Sequence, residues 1–247
     1  SDDIRFSQLN TPQTQINAVR KKYEGTDQWM KAPNGQPTKL NEMQWLQVRT
    51  PNFKAWFGDW ENDPKNASQV VDKNGEPMVV YHGSRQAGFT EFDESSDMFF
   101  TDRFDVAATY GSYDDVELPS IDAEFYDEHE GVYSAFIVAK NPINADFHGK
   151  TWFQSLDGMT ADDVVSKAKR LNNDGAIIDN IIDIGRHGFV SDKGDSTVYA
   201  VFNSNQIKSA TDNTGEFNPT NPDIRFSRKA KNPITEGIKS AANDAKN

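Results

Sequence analysis

The sequence predicts a mixed α+β domain with several short strands and few helices. Three observations carry this. Apolar β-type runs recur at residues 78–81, 98–100, 132–139, 176–184 and 198–202. Helical spacing is confined to a few segments. Turn-forming pairs such as Asn141-Pro142 separate the runs.

In chain order, residues 1–38 are polar, rich in Gln, Asn and Pro, and read as an N-terminal linker with a short helix. Residues 40–60 carry Trp45, Val48, Phe53, Trp56, Phe57 and Trp60 at amphipathic helical spacing, interrupted near Pro51. These aromatics read as core packing. Residues 102–110 form a helix in which Asp102 is the N-cap and Phe104, Ala107, Ala108 and Tyr110 make an apolar face. Residues 160–171 have a Thr160 cap, acidic Asp162 and Asp163 in the first turn, and basic residues in the last. The domain itself is assigned to 39–215. Residues 216–247 are read as linker and flexible tail, with a weak helix over 235–247.

The net charge is −12. Asp114, Asp115, Glu117, Asp122, Glu124, Asp127, Glu128 and Glu130 fall in one stretch without Lys or Arg, the pattern of a solvated loop. Such a chain is ill suited to nonspecific nucleic-acid binding, which depends on Lys and Arg neutralising phosphate. With no cysteine, disulfides, cysteine zinc sites and thiol nucleophiles are excluded. No apolar run approaches membrane-spanning length, and no signal peptide is visible. Asp3-Ile4-Arg5-Phe6-Ser7 returns as Asp223-Ile224-Arg225-Phe226-Ser227, which reads as the seams of a larger modular polypeptide.

His82 closes a β-run and is followed by Gly83 and Ser84. A histidine there can hold a ribose hydroxyl through a ring nitrogen, and the glycine lets a flat ligand reach the backbone. The competing reading is a structural histidine at a strand–turn junction. Downstream, Phe99 and Phe100 in a strand and Tyr110 on the following helix could sandwich a planar ring, or simply pack the core.

Together these segments resemble the ADP-ribosyltransferase fold in its poly(ADP-ribose) polymerase-like and diphtheria-toxin-like branch. The resemblance rests on Tyr81-His82-Gly83-Ser84-Arg85, on Phe99-Phe100-Thr101-Asp102 and on Val106-Ala107-Ala108-Thr109-Tyr110. The layout is similar to a subfamily found in polyvalent proteins of phages and conjugative elements. Its marks here are Trp56-Phe57-Gly58-Asp59, Lys140-Asn141-Pro142, Asp174-Gly175 and Gln206-Ile207-Lys208-Ser209, and the likeness spans roughly residues 42–227.

The resemblance implies split antiparallel β-sheets in a single domain, with NAD as substrate and no metal. It implies that His82 holds ribose hydroxyls, the Gly83 backbone grips the nicotinamide carboxamide, and Ser84 adds a hydrogen bond. Tyr110 would stack on the ring and count among the catalytic residues, Phe99 would take the place of the family's first Tyr without its hydroxyl, and Thr101 would be a further NAD-binding residue. Relatives place a Glu at the start of the late strand to stabilise the charge left as nicotinamide departs. Here Val198 occupies that slot. Asp195 and Gln206 are the candidate replacements, Glu216 a weaker one, and a site without any is the remaining reading. Glu128-His129-Glu130 lies too early to be the Glu-x-Glu of an Arg-directed transferase.

The implied activity is mono-ADP-ribosyl transfer to a host macromolecule, a protein rather than nucleic acid. The implied setting is a monomer in the cytoplasm of a bacterial host, delivered from a virion or conjugative element, with no membrane partner. The alternative is a catalytically weak or inactive binding module. NAD hydrolysis differs only in its acceptor. RNA 2′-phosphotransfer would need an Arg–His–His–Arg set, of which only Arg85, Arg186 and His187 are suggestive.

Overall fold

The computed structural model describes residues 11–86, 88–111, 131–185 and 195–225. Thr11 caps the first helix, α1 (Pro12–Tyr23), and Pro12 opens it with a pre-set φ. Asn41 and Gln44 form a capping box at α2 (Glu42–Gln47). Thr50 caps α3 (Pro51–Phe57) with Pro51 in its first turn, so the expected interruption is a junction between two short helices. The indole N–H groups of Trp45, Trp56 and Trp60 donate to the carbonyls of Lys31, Asn205 and Val48. The aromatic cluster is therefore core, with its polar handles satisfied.

The strands are β1 (Val80–Gly83), β2 (Met98–Thr101), β3 (Val132–Ile137), β4 (Pro142–Thr151), β5 (Gly175–Ile182), β6 (Ser196–Val201) and β7 (Ile207–Ser209). Helix α4 (Phe104–Gly111) follows β2, and α5 (Ala161–Arg170) follows β4 with Thr160 and Asp163 closing a capping box. The sheet order is β4-β5-β6-β2-β1-β3-β7. Its halves meet at a single β1–β2 pair, Tyr81 opposite Thr101. This narrow junction is the form the expected split takes.

Four expectations need correction. The sheet is not wholly antiparallel, because β4 and β5 run parallel; α5 supplies the crossover a parallel pair requires. Residues 11–38 are not a loose linker: Ile16 and Val19 are buried, and Tyr23 and Trp29 pack edge-on to Trp45. The packed unit also passes residue 215, since Phe217 and Ile224 are buried. Asp102 does not cap α4, which begins at Phe104; its Oδ1 instead accepts from the Thr197 N–H on β6.

Strand β4 carries the apolar–polar alternation of a half-exposed strand, Ile143-Asn144-Ala145-Asp146-Phe147-His148, but it follows directly on the turn-forming Asn141-Pro142, where the sequence reading ends the preceding run. The strand is irregular between Asp146 and Lys150, where His148 and Gly149 take positive φ. The acidic stretch 114–130, the first Asp-Ile-Arg-Phe-Ser copy and residues 235–247 lie outside the described residues. Among those described, no helix is long and apolar enough to cross a membrane.

Candidate functional site

The site forms where β1 and β2 stop pairing. Beyond Tyr81–Thr101, the side chain of His82 takes over: its Nδ1 lies 2.7 Å from the Phe99 carbonyl oxygen. A carbonyl only accepts, so Nδ1 is the donor and Nε2 of the neutral ring is left as an acceptor. Burial pushes the His82 pKa below its usual value, and the bond to Phe99 only partly opposes it. The ring sits against Phe92 and Phe100, at centroid distances of 5.0 and 5.5 Å.

Two glycines bring the next wall into place. A Cβ on Gly83 would lie 1.9 Å from the Ala107 carbonyl oxygen and 2.8 Å from the Tyr110 Cβ. Only a glycine lets α4 rest this closely on the end of β1. Gly185, just past β5, has φ +62°, and a Cβ there would meet the Thr109 hydroxyl at 2.4 Å. The chain leaving β5 thereby also abuts α4. The Tyr110 hydroxyl donates to Asp183 Oδ1 at 2.7 Å, and the Gly185 N–H donates to the same oxygen at 2.8 Å. Burial, then the neighbouring Asp183 carboxylate, push the Tyr110 pKa far above its usual value, so its hydroxyl stays protonated.

The cleft between these walls measures about 420 Å³, within the range of small-molecule sites. His82, Gly83, Phe99, Thr101 and Tyr110 all border it. Phe99 and Thr101 lie on one face of β2, and Thr101 Oγ1 accepts from the Arg103 N–H. Trp152, Phe153, Asp162, Asp183 and Val198 also line it. Trp152 meets Phe99 edge-to-face at 5.3 Å, and Phe153 is 75% exposed at the rim. Among the described residues no group of three or more His, Asp or Glu is placed to hold a metal.

Three sequence candidates stand outside this cavity. The Ser84 hydroxyl accepts from the Gln86 N–H, and its backbone N–H donates to Gly131. Asp195 is exposed at the entrance to β6, beside the Gly149 turn. Gln206 is fully engaged elsewhere. Its Oε1 accepts from the Phe202 and Asn203 N–H groups, and its Nε2 donates to the carbonyls of Val138 and Asp174. Glu216 does not border the cavity either, whereas Val198 does, as an aliphatic wall. Arg186, His187 and Glu128-His129-Glu130 lie outside the described residues.

Trp152, Phe153, Asp162 and Asp183 were missed because they come from the turn after β4, from the start of α5 and from the exit of β5, which only the fold brings together. One signal was available: a carboxylate, Asp183, directly after an Ile-rich strand and two residues before a glycine. A family model described as ADP-ribosyltransferase in polyvalent proteins matches residues 72–217, a span that contains every residue lining the cavity. No curated protein and no solved structure matches the chain.

Proposed function

Because the chain belongs to the family of ADP-ribosyltransferases in polyvalent proteins, we propose that the cavity between β1, β2 and α4 takes the nicotinamide end of NAD and that the chain transfers ADP-ribose to a macromolecule. The observation that carries this is the gap itself. It presents the Gly83 backbone beside two aromatic rings, Phe99 and Tyr110, in one cavity of about 420 Å³. A flat, mostly apolar ring with one carboxamide suits such walls: the rings stack on it, and backbone N–H and C=O pair with the amide.

The ribose then lies toward His82, whose Nε2 can accept from a hydroxyl. The reaction breaks the bond between ribose C1′ and the pyridinium nitrogen. Both electrons go to that nitrogen and release neutral nicotinamide, while C1′ shares the positive charge with the ring oxygen. The acceptor adds to C1′ and gives up its proton.

The acceptor is read as a host protein, since a net charge of −12 disfavours a phosphate backbone. The setting is read as a bacterial cytoplasm, and the chain as acting as a monomer. Incubation with NAD labelled in the adenylate, together with bacterial lysate, tests the activity. Label on a macromolecule is the expected result; intact NAD and no labelled product would contradict it. A second reading, a module that binds NAD without turning it over, is favoured by Val198, which puts an aliphatic side chain on the cavity wall in the slot where the resemblance implies a Glu. NAD uptake without release of nicotinamide would select it.

A further inference from the structure

We infer that Asp183 is the carboxylate that stabilises the departing-nicotinamide transition state in this chain, taking the task that Val198 cannot perform. This rests on the NAD reading above. An ADP-ribosyl transfer needs a fixed negative charge near the ribose as C1′ becomes cationic. Among the described residues that line the cavity, only Asp162 and Asp183 carry one.

Asp162 lies in the first turn of α5, where an acidic side chain complements the helix N-terminus. Asp183 sits against the nicotinamide-stacking wall. Its Oδ1 is held by two donors, the Tyr110 hydroxyl and the Gly185 N–H. With Oδ1 so fixed, Oδ2 serves as acceptor for a ribose hydroxyl.

The arrangement is built in rather than incidental. Gly185 takes a left-handed φ and packs against Thr109, one residue before Tyr110. The same helix thus places the stacking ring and, through its hydroxyl, orients the carboxylate. Tyr110 is therefore a positioning residue for Asp183 as well as a ring wall. As the glycosidic bond breaks, the Asp183 charge faces the cation at C1′. The carboxylate accepts a hydrogen bond from a ribose hydroxyl without taking its proton, and the acceptor's proton leaves to solvent.

The test pairs binding with turnover in the full chain. Nicotinamide and NAD dissociation constants are measured by calorimetry, and nicotinamide release from NAD is measured for wild type, Asp183→Asn, Asp183→Ser and Tyr110→Phe. Both Asp183 variants are expected to bind nicotinamide within about threefold of wild type. Their kcat is expected to fall about 100-fold or more, as when one preorganised electrostatic group is removed. Tyr110→Phe keeps the ring and loses the oriented hydrogen bond; its kcat is expected to fall about tenfold with KM little changed. Retention of wild-type kcat by either Asp183 variant that still binds NAD overturns the assignment. So does a wild-type chain that binds NAD and never releases nicotinamide. A wild-type chain that takes up neither NAD nor nicotinamide overturns the NAD reading itself.

Discussion

His82 Nδ1 donates to the Phe99 carbonyl across the line where β1 and β2 cease to pair, a side chain standing in for a missing rung of the sheet. Burial holds this ring neutral below the usual histidine range. The sign follows: the unfolded chain gains a proton near pH 6.5 that the folded chain refuses. Stability from this group is complete above that pH and declines as pH falls toward the lowered folded value. Urea midpoints from pH 7 down to about 5 should show this slope, and His82→Gln should remove it.

Gly83→Ala is expected to push α4 off the end of β1, because the new methyl would overlap the Ala107 carbonyl. Overpacking of this kind costs about 1–3 kcal/mol. Thermal unfolding should show the loss, and the displaced Tyr110 should weaken nicotinamide binding in the same protein.

The buried Arg49–Glu76 pair tests whether residues 11–77 are integral to the fold. The Arg49 guanidinium donates to Glu76 at 2.8 Å and lies 3.8 Å above the Trp45 ring. Burial raises the Glu76 pKa in spite of Arg49. Arg49→Met leaves that carboxylate buried without its cation and should cost about 3–5 kcal/mol in urea unfolding.

Much of this was legible locally. The Tyr81–Ser84 and Phe99–Asp102 strings, α4 and α5 all follow from short-range pattern, capping and turn chemistry. Gly83 was legible as a glycine that backbone geometry requires; that it seats a helix was not, because Ala107 and Tyr110 are more than twenty residues away. Asp183 and Trp152 reach the cavity through the parallel β4–β5 pair, and that pairing, with its irregularity between Asp146 and Lys150, is a long-range feature that no local pattern announces. Gln206 looked like a free amide in sequence; in the fold its side-chain hydrogen bonds tie the β6 exit to β3 and the entrance of β5.

Gln206→Ala should therefore act on stability. Losing those bonds is expected to cost about 1–3 kcal/mol, with nicotinamide release per folded molecule unchanged. Parallel melting and turnover assays check both halves.

Lys208 is buried and donates to the carbonyls of Asn221 and Asp223, clasping the second Asp-Ile-Arg segment. Burial lowers its pKa from 10.5 to about 8. Between those values the unfolded chain holds a proton the folded chain has shed, so stability contributed by this group rises with pH across that window. Tyr81, Tyr110 and Tyr199, all raised by burial, oppose the trend from their usual pKa of 10.0 upward. The wild-type minus Lys208→Met difference in unfolding free energy isolates the slope.

The central claim is that the β1–β2 gap is the nicotinamide subsite of NAD, and calorimetric titration of NAD into the full chain tests it most directly. One-to-one binding is predicted, competed by nicotinamide and lost when Phe99 and Tyr110 are both changed to Ala. No binding by the wild type, or undiminished binding by the folded double variant, would contradict it.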